Sequence, residues 1–126
     1  MFLLDTHVLV WALQQPELLS TTAAKVIENG DIIVSAASLW ELLTKKEKPN
    51  APIRNPNSWW QHHITLAGVQ VLPIQTYHIR HLETLPPIHK DPFDRILICQ
   101  SIHQGIPLVT NDKVIRGYDA YVNLVW

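Results

Sequence analysis

Cysteine is almost absent from this 126-residue chain, where Cys99 stands alone. One thiol excludes an intramolecular disulfide and suits a reducing cytoplasm. Charge is sparse too. Charged residues make up 17% of the sequence against 47% hydrophobic, a balance that excludes global disorder. The formal net charge of −1 argues neither for nor against nucleic acid, because a local basic strip acts within a neutral total. No apolar run approaches the roughly 18 residues that a membrane helix needs. Met1-Phe2-Leu3-Leu4 is apolar but lacks a basic leader, and Asp5 and His7 break the apolar character of the N-terminus, so it makes a poor signal peptide. No internal repeat or low-complexity tract is present. The expectation is a soluble intracellular protein with a single domain over 1–126.

What is present is a series of short apolar runs at 2–4, 31–34, 69–74 and 107–110, with a weaker one at 121–125. Runs apolar on both faces suit a parallel sheet covered on both sides. Helical patterns lie between them at 6–14, 20–29, 38–48, 57–67, 75–84, 92–104 and 112–117. Ser20 is placed as an N-cap and Gly30 as the residue past a helix end. The alternation predicts an α/β fold with a central parallel sheet of four to five strands. The stretch 49–57 holds three prolines and three asparagines and reads as a loop.

Acids recur where these strands end. Asp5 follows the first run directly, at the carboxyl end of a strand, where open α/β sheets place their ligands. Glu41 falls in the first turns after strand 31–34. Asp91 and Asp94 open the helix that leads into 107–110, and Asp112 follows that strand. Each has a structural reading. Asp91-Pro92 is a cap followed by proline at the first helical position, Ser38 and Glu41 match a capping box, and Asp112 is placed to cap its own helix. Capping does not explain why four regions aim carboxylates at one edge. Clustered carboxylates with few soft ligands suit Mg²⁺ or Mn²⁺, which lower the pKa of a bound water.

The stretches Leu3-Leu4-Asp5-Thr6-His7, Ser35-Ala36-Ala37-Ser38-Leu39-Trp40-Glu41, His89-Lys90-Asp91-Pro92-Phe93-Asp94-Arg95 and Leu108-Val109-Thr110-Asn111-Asp112 resemble the motifs of PIN-domain proteins. More narrowly they resemble the VapC-like toxins of bacterial toxin–antitoxin pairs, from Leu3 to Trp126, with 91–95 the most specific block. The resemblance implies a PIN-like three-layer α/β/α sandwich and a metal-dependent endoribonuclease. It implies an antitoxin partner, a homodimer and an RNA substrate, and it lays Asp5, Glu41, Asp94 and Asp112 on the metal-binding acids. Of these, Asp5 and Asp94 are the expected direct ligands. Glu41 and Asp112 are expected at a second ion or its water, one of them as general base. The chain departs from close relatives in carrying Lys45-Lys46-Glu47-Lys48-Pro49-Asn50 where they have a glycine-lysine-leucine turn.

Around the acids, Arg95 and Lys90 are placed to hold a phosphate, with a salt bridge to a carboxylate the plainer role for Arg95. Lys45, Lys46, Lys48 and Arg54 form a basic strip, which is either an RNA track or a solvated helix end. Thr6 and Thr110 orient the metal's waters or cap. Seven histidines are scattered without the spacing of a zinc site. Cys99 reads as a buried small hydrophobe. Trp11, Trp40 and Trp126 read as core, whereas the adjacent Trp59 and Trp60, about 100° apart on a helix, are not expected both to be buried. Two other functions compete. An aspartate-nucleophile phosphatase needs a second aspartate where His7 stands. A non-catalytic RNA- or protein-binding module would use its acids only as caps.

Overall fold

The computed structural model describes all 126 residues. Five strands form one sheet: β1 (Phe2–Leu4), β2 (Ile32–Ser35), β3 (Val71–Leu72), β4 (Leu108–Val109) and β5 (Leu124–Val125). All pairings are parallel and the order is β3-β2-β1-β4-β5, so the first strand of the chain is the central one. Successive side chains on a strand point to opposite faces. Leu3, Ile33 and Leu108 accordingly enter one core, with Leu97 and Ile98, and Leu4, Val34 and Val109 enter the other, with Val8 and Leu42. A hydrophobic core on each face covers the sheet on both sides, as the apolar runs foretold, and makes the three-layer α/β/α sandwich that the resemblance implied.

The helices are α1 (Thr6–Gln14), α2 (Thr21–Glu28), α3 (Ala36–Lys45), α4 (Pro56–Trp60), α5 (Thr76–His81) and α6 (Pro92–Gln104). Ser20 caps α2 by accepting from Ala23 N, and Gly30 follows its end at φ 74°, both as expected. Helix α6 runs over the expected residues between the cap Asp91 and Gly105, whose φ of 63° lets the chain turn toward β4. The 3₁₀ turn Ile115–Tyr118 replaces the helix expected at 112–117.

Several boundaries differ for identifiable reasons. Pro73 has no N–H to give, and β3 stops before it rather than running to 74. Ser35 ends β2 and at once caps α3 by accepting from Ala37 N at 3.0 Å, so the helix starts at Ala36 and not at 38. Ser38 therefore lies inside the helix, and the capping box with Glu41 does not form. The helix expected at 57–67 is α4 followed by a π turn over Gln61–Thr65.

The tryptophans correct the sequence reading. Trp59 and Trp60 are both buried, in the same core that takes in Ile53 from the stretch read as a loop. Trp40 is 55% exposed, standing edge-on to Phe93 at 4.8 Å between ring centres. Trp11 and Trp126 are half-buried and meet edge-on at 6.0 Å. Cys99 is fully buried as expected, and burial pushes its thiol up to about 11. No helix is long and apolar enough to cross a membrane.

Candidate active site

Strand order reverses direction at β1: the chain steps from it to β2 on one side, while β4 pairs on the other. The crevice beyond the carboxyl ends of strands at such a switch point is where open α/β sheets bind ligands. Asp5 emerges from β1 at this crevice, with its backbone N–H on Val109 O. Thr110 emerges from β4 beside it. The Thr110 hydroxyl donates to Asp5 Oδ2 at 2.6 Å and accepts the Asp112 N–H at 3.1 Å. Asp5 Oδ1 caps α1 by accepting from His7 N at 3.2 Å. Thr6 shares a 2.8 Å hydrogen bond with Ser38 of α3 and lines a cavity beside Glu41.

The other acids arrive from three directions. Asp94 lies in the first turn of α6, buried, one turn past its cap. Asp91 is that cap, as expected, and its Oδ1 accepts from Phe93 N at 2.8 Å and Asp94 N at 3.4 Å. Asp112 Oδ1 accepts from Val114 N and Ile115 N, the capping contacts expected of it. Glu41 is buried in the middle of α3, where it caps nothing, and its Oε1 has no hydrogen-bond partner. Asp94 carries the electrostatic cost of this crowding. Burial raises its carboxyl first, then Asp5, Asp91, Glu41 and Asp112 push it further, up to about 8. Burial likewise raises Asp5, against the Thr110 hydrogen bond and His7, and Glu41 raises it further.

Sequence reasoning missed His89. Its Nε2 lies 3.0 Å from Asp94 Oδ2 and 3.7 Å from Asp112 Oδ2, and a ligand atom of each of these three residues falls within 4.8 Å of the others. His89 Nδ1 already accepts the Asp91 N–H at 3.1 Å. A neutral imidazole in that bond carries its proton on Nε2, so this ring faces the two carboxylates as a donor and not as a ligand. The Nε2–H is not aligned on either oxygen and makes no hydrogen bond. The available signal was His89 standing two residues before a helix-capping aspartate, a pattern that a search for zinc spacing passes over.

Two basic residues are corrected. Arg95 neither faces the crevice nor pairs with an acid. Its Nη1 donates to Pro86 O, His89 O and the Tyr118 hydroxyl, and its Nη2 to Leu82 O and Leu85 O, at 3.0–3.4 Å. It pins the 82–89 segment that carries His89. Lys45 is not on a solvated strip, since its Nζ lies 2.5 Å from Glu41 Oε2 and 3.3 Å from Asp91 Oδ2. Burial pulls its pKa down, and the two carboxylates pull it further up, so the net direction is up. Lys46 and Lys90 are exposed and pair with nothing. Beside Glu41, a cavity of about 200 Å³ is lined by Thr6, His7, Lys45, Lys48 and Asn50 among others.

Residues 2–121 match the family described as PIN domain. The chain is 32% identical over 122 residues to Ribonuclease VapC22 of Mycobacterium tuberculosis, with 92% of this chain and 90% of that protein aligned. Among solved structures it is similar to VapBC from Salmonella typhimurium, bound to DNA, with a TM-score of 0.71 at 18% identity, over 98% of this chain and 96% of that one. It is also similar to VapBC2 from Rickettsia felis, bound to a DNA fragment from its promoter (TM-score 0.70, 17% identity, 99% and 98% covered). At such identities these two structures speak for the fold. The strand order, the acids at its switch point and the match over nearly the whole chain agree: this protein belongs to the PIN-domain family and is VapC-like.

Proposed function

We propose that the chain, as one PIN-like domain over 1–126, is an endoribonuclease that hydrolyses RNA phosphodiester bonds with Mg²⁺ or Mn²⁺, and that it is the toxin of a toxin–antitoxin pair. The observation that carries this reading is the meeting of Asp5, Asp94 and Asp112 at the β1–β4 crevice, with Glu41 close enough to raise both Asp5 and Asp94. The donors fit a hard divalent cation, being carboxylate oxygens that repel one another until a positive charge joins them. Capping accounts for Asp91 and Asp112 but not for buried Glu41 and Asp94, which start no helix and stand among other acids. That weighs against a module that binds RNA without cutting it.

Asp5, Asp94 and Asp112 would hold the ion. When bound, it supplies an activated water and neutralises charge on the phosphodiester. Thr110 fixes the orientation of Asp5, and the proton on His89 Nε2 stands against Asp94 and Asp112. Glu41 has one oxygen free to take the proton of the attacking water. Exposed Lys46 and Lys90 are left as contacts for the RNA backbone. As a VapC-like toxin it would work in the cytoplasm, as a homodimer, held inactive by an antitoxin. Purified protein should cut RNA with Mn²⁺ or Mg²⁺ and stop with a chelator, and Asp5→Asn and Asp94→Asn should each lose about a hundredfold or more. Either variant cutting as fast as the wild type removes that residue from the site. RNA binding equal with and without metal, and no cleavage in either case, overturns the enzyme.

A further inference from the structure

The carboxylates fall into two sets. Asp94 and Asp112 gather around the His89 ring, with one ligand atom of each residue within 4.8 Å of the others. Glu41 and Asp91 instead converge on an ammonium. Lys45 Nζ lies 2.5 Å from Glu41 Oε2 and 3.3 Å from Asp91 Oδ2. From these distances we infer that Lys45 is the built-in cation of the cluster, standing between Glu41 and Asp91 in the place of a second divalent ion, so that each chain takes one such ion and not two. The inference rests on reading the crevice as a divalent-metal centre.

Three features hold the ammonium there. Glu41 and Lys45 are four residues apart on α3, so one helical turn sets them side by side, with the acid N-terminal to the base in the favoured order. Asp91 comes from 46 residues further along and is itself fixed, because its other oxygen caps α6. Phe93, two residues on, sets its ring 5.7 Å from Nζ, within reach of a cation–π attraction. The pair is also shielded. The Glu41 side chain is 3% exposed and that of Lys45 28%, so solvent screens it far less than a surface ion pair. A divalent ion seeking Glu41 Oε2 and Asp91 Oδ2 would have to expel a positive charge that already satisfies both. The ammonium brings one fixed charge, donates only hydrogen bonds and does not exchange with solution.

The test is a count of ions without RNA. Metal-free protein is titrated with Mn²⁺ by calorimetry, and free Mn²⁺ is read independently by electron paramagnetic resonance. The wild type should bind one Mn²⁺ per chain. Lys45→Ala, checked for folding by circular dichroism, should bind a second, and Lys45→Arg should stay at one. Glu41→Gln should keep Mn²⁺ affinity within about threefold, whereas Asp94→Asn should lose about tenfold or more. Two ions on the wild type overturn the inference, and so does a folded Lys45→Ala that still binds one. A Glu41→Gln loss as large as that of Asp94→Asn overturns it even if Lys45→Ala does not fold. A wild type that binds no Mn²⁺ at all sinks the metal centre itself, a result distinct from a count of two.

Discussion

The Thr110 hydroxyl donates to Asp5 Oδ2 at 2.6 Å, joining two residues 105 positions apart at the ends of adjacent central strands. The same oxygen accepts the Asp112 N–H, so one threonine orders two acids of the crevice. Thr110→Val keeps the shape and removes both contacts. It should lower kcat/KM for RNA about tenfold, equivalent to about 1.4 kcal/mol, and Thr110→Ser should restore it. Steady-state cleavage by the valine variant at the wild-type rate would show that Asp5 needs no such partner.

Arg95 neighbours Asp94 in sequence yet points about 100° away around the helix, into the carbonyls of 82–89. Arg95→Lys cannot reproduce a planar fork serving four carbonyls and a hydroxyl. It should cost about 3 kcal/mol or more of unfolding free energy in urea melts, while leaving KM for RNA unchanged in the folded protein. A raised KM with unchanged stability would return Arg95 to the substrate.

Metal-free protein should lose stability as pH rises. Asp94 titrates at about 8 when folded and has a reference value of 3.8, so between these the folded chain keeps a proton that the unfolded chain has released. Unfolding free energy then falls across that window, and the raised Asp5 acts with the same sign. Asp91 acts oppositely and lower. Burial pushes its carboxyl up, but the α6 N–H groups and Lys45 together outweigh this and hold it below the ordinary range, so its contribution is present above pH 3.8 and disappears as pH drops through the folded value. Thermal melts in chelator should decline from about pH 5 to pH 8, and Mn²⁺ or Asp94→Asn should flatten the decline. A melting temperature that climbs with pH in chelator would contradict this account.

The parts legible in the sequence were those decided locally. An apolar run ended by Asp5, a proline behind Asp91 and a glycine at 105 mark a strand end, a helix start and a helix end by chemistry contained in a few residues. The misread parts were decided by distant partners. Helical periodicity sees the two sides of α4 but not the core that receives both tryptophans together with Ile53 from the preceding stretch. Trp40 looks like core by residue type, yet it stands more than half exposed on α3, edge-on to Phe93. Lys45 reads as one of four basic residues until Asp91 is brought to it from the start of α6. His89 could have been found, because a helix cap fixes the backbone just after it, but its neighbour Asp112 comes from beyond β4.

The place of β1 at the middle of the sheet has a consequence for synthesis. β1 is made well before Leu108 and Val109 and must wait for them before its second edge is paired, and Asp5, which follows it, waits for Thr110. Contacts so remote in sequence form late and slow a chain's folding. A ribosome making this protein therefore carries an incomplete site until β4 has emerged, and a product truncated before β4 lacks both Thr110 and Asp112.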